Sequence, residues 1–259
     1  MNRRESYPGA QTVSRAVALL KAFTDAQPER SLAELARAVG LHRTTTYRLL
    51  RALESDGMVM RGASGDTYRL GPEAIALGAR ALRSNDLRSA GHAELETLAR
   101  ATGETATLEV LAEDQVVILD EVIGQHHLLG TAQFVGTRWP AHATSTGKVL
   151  LAHLSDADRK AILHAPLAKH TPHTMTTLAA LRDELACVRE QGYATAIHEL
   201  ELGFTAVGAP VRNHDGIVVA AISLGGPSVR LTPDRIPKIA AVIIAAAERI
   251  SERLGFRQE

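Results

Sequence analysis

The sequence predicts an α+β protein in two parts, and three observations lead there. Residues 31–56 carry two short amphipathic helical patterns broken at Gly40, residues 58–70 carry two strand patterns around a turn, and beyond residue 86 strand patterns alternate with helical ones. Such a chain folds as a helical unit with a small hairpin, followed by an antiparallel sheet packed with helices.

The first helical pattern covers Thr12 to Thr24, with Val13, Val17, Leu20 and Phe23 as its inner stripe. Ser31 followed three residues later by Glu34 is a capping box, so a second helix starts there and buries Leu32, Leu35, Ala36 and Val39. Gly40 interrupts it, and a third helix runs from about Arg43 to Asp56 with Thr46, Leu49, Leu50 and Leu53 inward. Its outer face holds Arg43, Thr44, Thr45, Tyr47, Arg48 and Arg51 with no carboxylate among them. Donors and cations in a row suit the major groove, because Arg pairs with guanine edges and a cationic flank neutralises phosphate. Met58–Arg61 and Thr67–Leu70 then read as strands around the turn Ala63–Asp66, a wing that places Arg61 and Arg69 to meet phosphate or the minor groove. Residues 1–71 thus read as a winged helix-turn-helix DNA-binding domain.

Pro72 opens a linker helix within residues 72–85, which presents Ile75, Leu77, Ala81 and Leu82; pairing with its twin in a second subunit is the reading it favours. The remaining residues, 86–259, begin with a helix from Leu87 to about Ala101, with Asp86 as its cap and Thr102-Gly103 as its stop. Strands are expected over 105–112, 115–123, 193–198, 204–212 and 217–224, with a further short one over 127–133 and a loop over 136–140. Helices are expected from His142 to Leu154, Ser155 to Leu163, Thr177 to Gln191, and from Thr232-Pro233 to about Leu254. Asn213-His214-Asp215-Gly216 is a strong hairpin signal between the last two strands.

Composition bounds the function. The 259 residues suit two domains, and 45% hydrophobic content supplies their cores. Formal charge is zero overall, yet residues 1–83 hold 13 Lys and Arg against 8 Asp and Glu, so the basic excess lies with the DNA-binding part. The start, MNRRESYPG, carries no apolar export signal, and the longest apolar run, Ile239–Ala247, is too short to span a bilayer, so a cytoplasmic protein without membrane contact is expected. A single cysteine, Cys187, excludes an internal disulfide and a multi-cysteine metal site. The eleven histidines show no metal-ligand spacing, and no metal or cofactor is expected. Gly147-Lys148 resembles the end of a phosphate loop, but His142 stands where that motif needs glycine. Lys148 is instead expected on the helix surface or as a brace between domains. No nucleophile elbow or ordered triad appears, so an enzyme is not expected.

Over nearly its whole length the chain resembles the IclR family of bacterial transcriptional regulators. The resemblance rests on the winged helix-turn-helix, the linker helix, HATSTGK at 142–148, GYATAIHELELGFTAVGAPV at 192–211 and DGIVVAAISLGGP at 215–227. It implies a GAF-like effector-binding and oligomerisation domain over 86–259, a homodimer or homotetramer, and transcription controlled by a small metabolite. Similarity to members that bind small oxoacids places Leu128, Thr131, Trp139 and Phe204 on an apolar wall, with Ser145 and Thr146 as donors at a helix start. It also places Ala196, Ala206, Ser223 and Gly225 on the floor, with His198 beside them. Such members carry an acidic residue, a cysteine and two serines on that floor, so three polar contacts are expected to be absent here. A larger or less polar ligand follows as the expectation, namely an aromatic or branched monoanionic acid. A dimer would set two recognition helices roughly 34 Å apart on a near-palindromic operator.

Overall fold

A computed structural model describes residues 10–63, 65–125 and 134–257. The chain divides into two contact-dense units, one ending at Ser84 and the other beginning at Asn85.

The first unit contains α1 (Ala10–Lys21), β1 (Arg30–Ser31), α2 (Leu32–Ala38), α3 (Arg43–Ser55), β2 (Val59–Arg61), β3 (Thr67–Leu70) and α4 (Pro72–Arg83). Its core is Leu19, Leu35, Leu50, Val59 and Tyr68, with Leu20, Phe23, Leu49 and Leu53 packed around them. The inner stripe expected of α1 is only half realised. Val13 and Val17 are 65% and 43% exposed, because the helix packs through its last turn, where Leu19 is fully buried. The wing has a third strand. Arg30 and Ser31 pair with Tyr68 and Thr67, giving the order β1-β3-β2 and tying the start of α2 to the hairpin. A two-residue strand has too little pattern to be seen in sequence. No residue of α4 is buried, and Ile75 and Leu77 stand exposed.

The second unit is a six-stranded antiparallel sheet between two helical layers. It contains α5 (Asp86–Thr102), β4 (Thr105–Ala112), β5 (Gln115–Val122), β6 (Arg138–Pro140), a 3-10 turn (Ala141–Ala143), α6 (Ser145–His153), α7 (Asp156–Ile162) and α8 (Leu178–Gln191). β7 (Ala194–Ile197), β8 (Phe204–Arg212), β9 (Val218–Pro227) and α9 (Ile236–Arg253) complete it. Strand order is β6-β5-β4-β9-β8-β7. Alternation along each strand decides the layers. Ala106, Leu108, Val207, Ala209, Ile222 and Leu224 face α5 and α9, where Leu95, Leu98, Ile243 and Ile250 meet them. The opposite face receives Val149 and Leu151 of α6 and Leu181, Leu185 and Val188 of α8. Each such fully buried side chain contributes about 1.5–3 kcal/mol of transfer free energy.

Several boundaries differ from the sequence reading. Asn85, not Asp86, caps α5, its Oδ1 accepting from the Arg88 N–H at 3.0 Å. Residues 138–140, expected as loop, form the edge strand β6 against β5. α9 starts at Ile236 rather than at Thr232-Pro233; residues 232–235 form a turn closed by the Arg235 N–H on the Thr232 carbonyl. Pro237, near the helix start, carries the role assigned to Pro233. The strand expected over 127–133 lies outside the described residues.

Candidate functional site

In the first unit, the capping box starts α2 as expected: Glu34 accepts from the Ser31 N–H at 2.8 Å and the Ser31 hydroxyl accepts from the Glu34 N–H at 3.4 Å. Hydrogen bonds from the Ser31 backbone and hydroxyl hold the Glu34 carboxyl below its ordinary range. α3 is capped by His42, whose Nδ1 accepts from the Thr44 N–H. With Thr46 and Leu50 buried, α3 turns Arg43, Thr44, Tyr47, Arg48 and Arg51 to the outside and leaves Thr45 half-buried. Arg43 and Arg48 make no ion pair among the described residues.

Three other arginines are engaged within the unit. Arg51 meets Glu54 at 3.3 Å, and Glu54 also accepts from Arg61 Nε at 3.3 Å. The Arg61 guanidinium lies 4.3 Å from the Tyr68 ring centre and donates to the Gly65 carbonyl at 3.1 Å. Arg69 lies 3.9 Å from Glu29, both half-exposed. Both wing arginines therefore carry partners within their own domain, Arg61 on Glu54, Tyr68 and Gly65 and Arg69 on Glu29. Glu54 lies just past the carboxylate-free row, and only the hairpin's return shows that it gathers Arg61.

The second unit encloses a cavity beneath the start of α6. Thr105, Thr107 and Glu109 of β4 line it, with Trp139 of β6, Ala143 to Thr146, Ala196 of β7, Leu200, Phe204 and Ala206 of β8, and Ser223 and Gly225 of β9. Sheet register explains the set. Thr105, Gly225, Ala206 and Ala196 lie in one row across four strands, and Thr107, Ser223 and Gly208 in the next. Small residues in both rows leave space above the sheet. The space is narrow, about 30 Å³.

α6 closes over these rows because Gly147 allows it. A Cβ on Gly147 would stand 2.1 Å from the Ala141 carbonyl oxygen, so the helix could not lie against the preceding turn. Thr144 caps the helix by accepting from the Gly147 N–H at 3.1 Å, which leaves Ser145 and Thr146 at the helix start facing the cavity. Gly225 serves a different purpose. A Cβ there would lie 2.7 Å from Phe204 Cζ, so the room opened by the missing side chain is filled by the Phe204 ring.

Trp139, Ser145, Thr146, Ala196, Phe204, Ala206, Ser223 and Gly225 thus line one cavity. Leu128 and Thr131 lie outside the described residues. His198 does not line the cavity. Its φ of 60° takes the chain out of strand alternation, and its Nδ1 accepts from the Gly203 N–H at 2.8 Å. His142 lies 5.8 Å from His170 and His198 5.4 Å from His173, ring centre to ring centre.

The floor is more polar than expected. Glu109 is buried; its Oε1 accepts from the Thr107 hydroxyl and its Oε2 from the Thr146 hydroxyl, both at 2.6 Å. The Thr107 and Ser223 hydroxyls lie 2.8 Å apart. Burial drives the Glu109 pKa upward, and the two hydroxyls offset this only in part. Strand alternation from Thr105 through Thr107 was the signal for Glu109, since all three must share a face.

Lys148, expected on the helix surface or as a brace, is fully buried and acts within its own unit. Its Nζ donates to Glu184 and to Glu199, each at 2.8 Å. Burial raises the Glu199 pKa, Lys148 opposes that, and the other Glu199 oxygen has no partner among the described residues. The Glu199 carbonyl accepts from Thr174 Oγ1 at 2.6 Å, so the segment leading to Leu200 and Phe204 is anchored to α6, α8 and the loop before α8. Among the described residues no group of His, Cys, Asp and Glu could hold a metal ion.

Comparison with known proteins decides the family. Residues 79–252 match the model of the bacterial transcriptional regulator IclR C-terminal domain, and residues 12–62 match the IclR helix-turn-helix domain. The chain belongs to the IclR family. This IclR-family chain is 32% identical over 250 residues to the transcriptional regulator XynR of Escherichia coli, covering 96% of this chain and 99% of that protein. It is 31% identical to the transcriptional repressor IclR of the same organism, covering 95% and 90%. A putative IclR regulator from a Silicibacter species superposes with a TM-score of 0.86 at 32% identity, covering 96% of this chain and 98% of that one. An IclR homologue from Microbacterium hydrocarbonoxydans, solved in complex with 4-hydroxybenzoate, superposes with a TM-score of 0.80 at 28% identity, covering 94% and 98%. The protein is a DNA-binding transcriptional regulator with a helix-turn-helix unit and an α+β effector-type domain. No helix among the described residues is long and apolar enough to cross a membrane.

Proposed function

We propose that a small acid bound beneath the start of α6 controls the affinity of this regulator for its operator. The observation that carries the reading is the cavity itself. It joins the Ser145-Thr146 helix start and a chain of hydroxyls to the aromatic side chains Trp139 and Phe204, within one largely buried space. A helix start favours a carboxylate, and aromatic walls favour a ring or branched chain over a two-carbon acid. The 4-hydroxybenzoate complex of the Microbacterium homologue supports an aromatic monoanion as the ligand class. At about 30 Å³ the cavity admits a ring only if Phe204 or Trp139 swings aside, so ligand entry and a change in the pocket wall are one event.

In this reading residues 1–71 bind DNA, 72–85 form the linker helix, and 86–259 bind effector and oligomerise. Arg43, Thr44, Thr45, Tyr47, Arg48 and Arg51 face the major groove, with Arg69 at the backbone. The exposed Ile75 and Leu77 of α4 suit pairing with a second subunit, and a homodimer reads a near-palindromic operator. A ligand that binds one arrangement of the effector domains better than another shifts operator affinity by that difference. The protein catalyses no reaction in this account.

The test is a mobility-shift titration on the promoter beside the protein's own gene, with and without 4-hydroxybenzoate or pyruvate, paired with calorimetry of both acids. Operator affinity should change with the aromatic acid. Tight pyruvate binding without aromatic binding would reject the ligand class, and operator affinity indifferent to every acid would leave the second unit as an oligomerisation module.

A further inference from the structure

Glu109 is a buried ionisable group that hydroxyls alone surround. On β4 it lies between Ile118 of β5 and Ala221 of β9, neither of which titrates. Lys148 of α6 is turned away onto Glu184 and Glu199, and His142 of the 3-10 turn is engaged with the Ala168 carbonyl. Asp120 of β5 is held on the α5 side by Arg88 and His92. The other carboxyl on this face is the half-buried Glu121, opposite Thr107, and it does not line the cavity. Among the described residues no cation offsets a charge on Glu109.

Hydroxyl bookkeeping then restricts what the cavity can present. Each hydroxyl owns one proton. When Glu109 is ionised, the Thr107 and Thr146 protons both point at its carboxylate, and the Ser223 proton is drawn to Thr107 Oγ1. All three oxygens then offer only lone pairs to a ligand. When Glu109 is a neutral acid, its own proton reverses one of the two chains. Donation to Thr146 frees the Thr146 proton, while donation to Thr107 passes along to free the Ser223 proton.

We propose that Glu109 selects the chemical class of the effector by setting the hydrogen-bond polarity of the cavity. As a neutral acid it makes Thr146 or Ser223 a donor to a carboxylate or carbonyl, and as an anion it leaves a site for amines and hydroxyls. This rests on the effector reading above and specifies it: the bound acid is taken by the protonated form of the site. The buried setting, which raises the Glu109 pKa, extends that form toward neutral pH. Glu109 is thus a specificity residue contributed by β4.

The experiment uses the full chain and two probes of opposite polarity, benzoate and benzylamine, titrated calorimetrically from about pH 6 to about pH 9, where neither probe's charge change controls binding over most of the range. Benzoate affinity should fall by up to about tenfold per pH unit above the Glu109 pKa, whereas benzylamine affinity should rise until Glu109 is fully ionised. Both slopes should vanish in Glu109→Gln, whose amide cannot titrate, and persist in Glu121→Gln. Infrared spectra of the unliganded protein provide a second readout. A carboxylic-acid C=O band should disappear as pH rises, be absent in Glu109→Gln, and shift in Thr146→Val and Ser223→Ala. Equal slopes in wild type and Glu109→Gln, or no protonated-carboxyl band assignable to Glu109 across the range, would overturn the proposal. If neither probe binds, the aromatic-ligand reading fails by itself and the infrared band alone decides for or against the role of Glu109.

Discussion

The outer face of α3 and the cavity under α6 treat charge in opposite ways. On α3 the arginines stand in water, where Arg43 and Arg48 have no ion-pair partner among the described residues and the Arg51–Glu54 pair is open to solvent. Under α6, Lys148 is buried and bound by two carboxylates, while Glu109 is buried with hydroxyls only. Exposed cations cost little to leave unpaired, so a surface can hold them ready for phosphate and base edges. A buried charge must be paired or neutralised, so the interior uses one ion to brace the fold and leaves the other free to change its protonation. The proposed function uses that difference in solvation, with the exposed surface offered to DNA and the cavity to a small molecule.

The largest expected effect breaks the buried side of the contrast. Lys148→Met should destabilise the protein by about 3–5 kcal/mol, because it strands Glu199 and Glu184 without their cation. Urea unfolding would measure it, and a loss no greater than that of an exposed salt bridge would show that Lys148 is not a brace. Next in size is Arg48→Ala, which should weaken operator binding by about 1–3 kcal/mol while leaving effector binding intact. Phe204→Asp should do the reverse. Mobility shift and calorimetry on both variants would separate the two regions, and a variant that lost both functions would argue against their independence.

A smaller effect is expected from pH. Burial raises the Glu109 pKa above its ordinary value of 4.5. Below that ordinary value both the folded and the unfolded chain hold the proton, so Glu109 imposes no penalty. As pH rises from there to the raised pKa, the unfolded chain releases its proton first and stability falls. Glu109→Gln should remove this part of the decline, so the difference in unfolding free energy between variant and wild type should grow with pH across that window. Glu199, also raised by burial, continues to contribute its share in the variant. A constant difference would mean that Glu109 titrates normally. The smallest effect sharpens the exposed side. Glu54→Gln, which releases Arg51 and Arg61, should change stability by no more than about 1 kcal/mol. It should strengthen operator binding slightly by returning two cations to the DNA-facing surface.

Much of the first unit was legible in sequence, because its signals are local. The Ser31–Glu34 box, the phase of α3 and the outward set from Arg43 to Arg51 depend on residues within a turn or two of one another. The partners of Arg61 were not legible, because the acid and ring that hold it lie seven residues away on either side, brought together by the hairpin. In the second unit the hairpin at Asn213–Gly216, the end of α8 at Gln191 and most strand spans were likewise legible. Lys148 was not, since its carboxylates lie 36 and 51 residues further on. The same limit hid the contact of the Phe204 ring with the space over Gly225.

By itself the sequence determined most of the helices and strands and the apolar side of most of them, because backbone sterics, caps and periodicity act over a few residues. Only the tertiary structure decided which of the charged residues left over would be solvated, paired or stranded. That outcome depends on the dielectric and the neighbours that distant strands and helices create, and it is there that Glu109 acquires its place in the cavity.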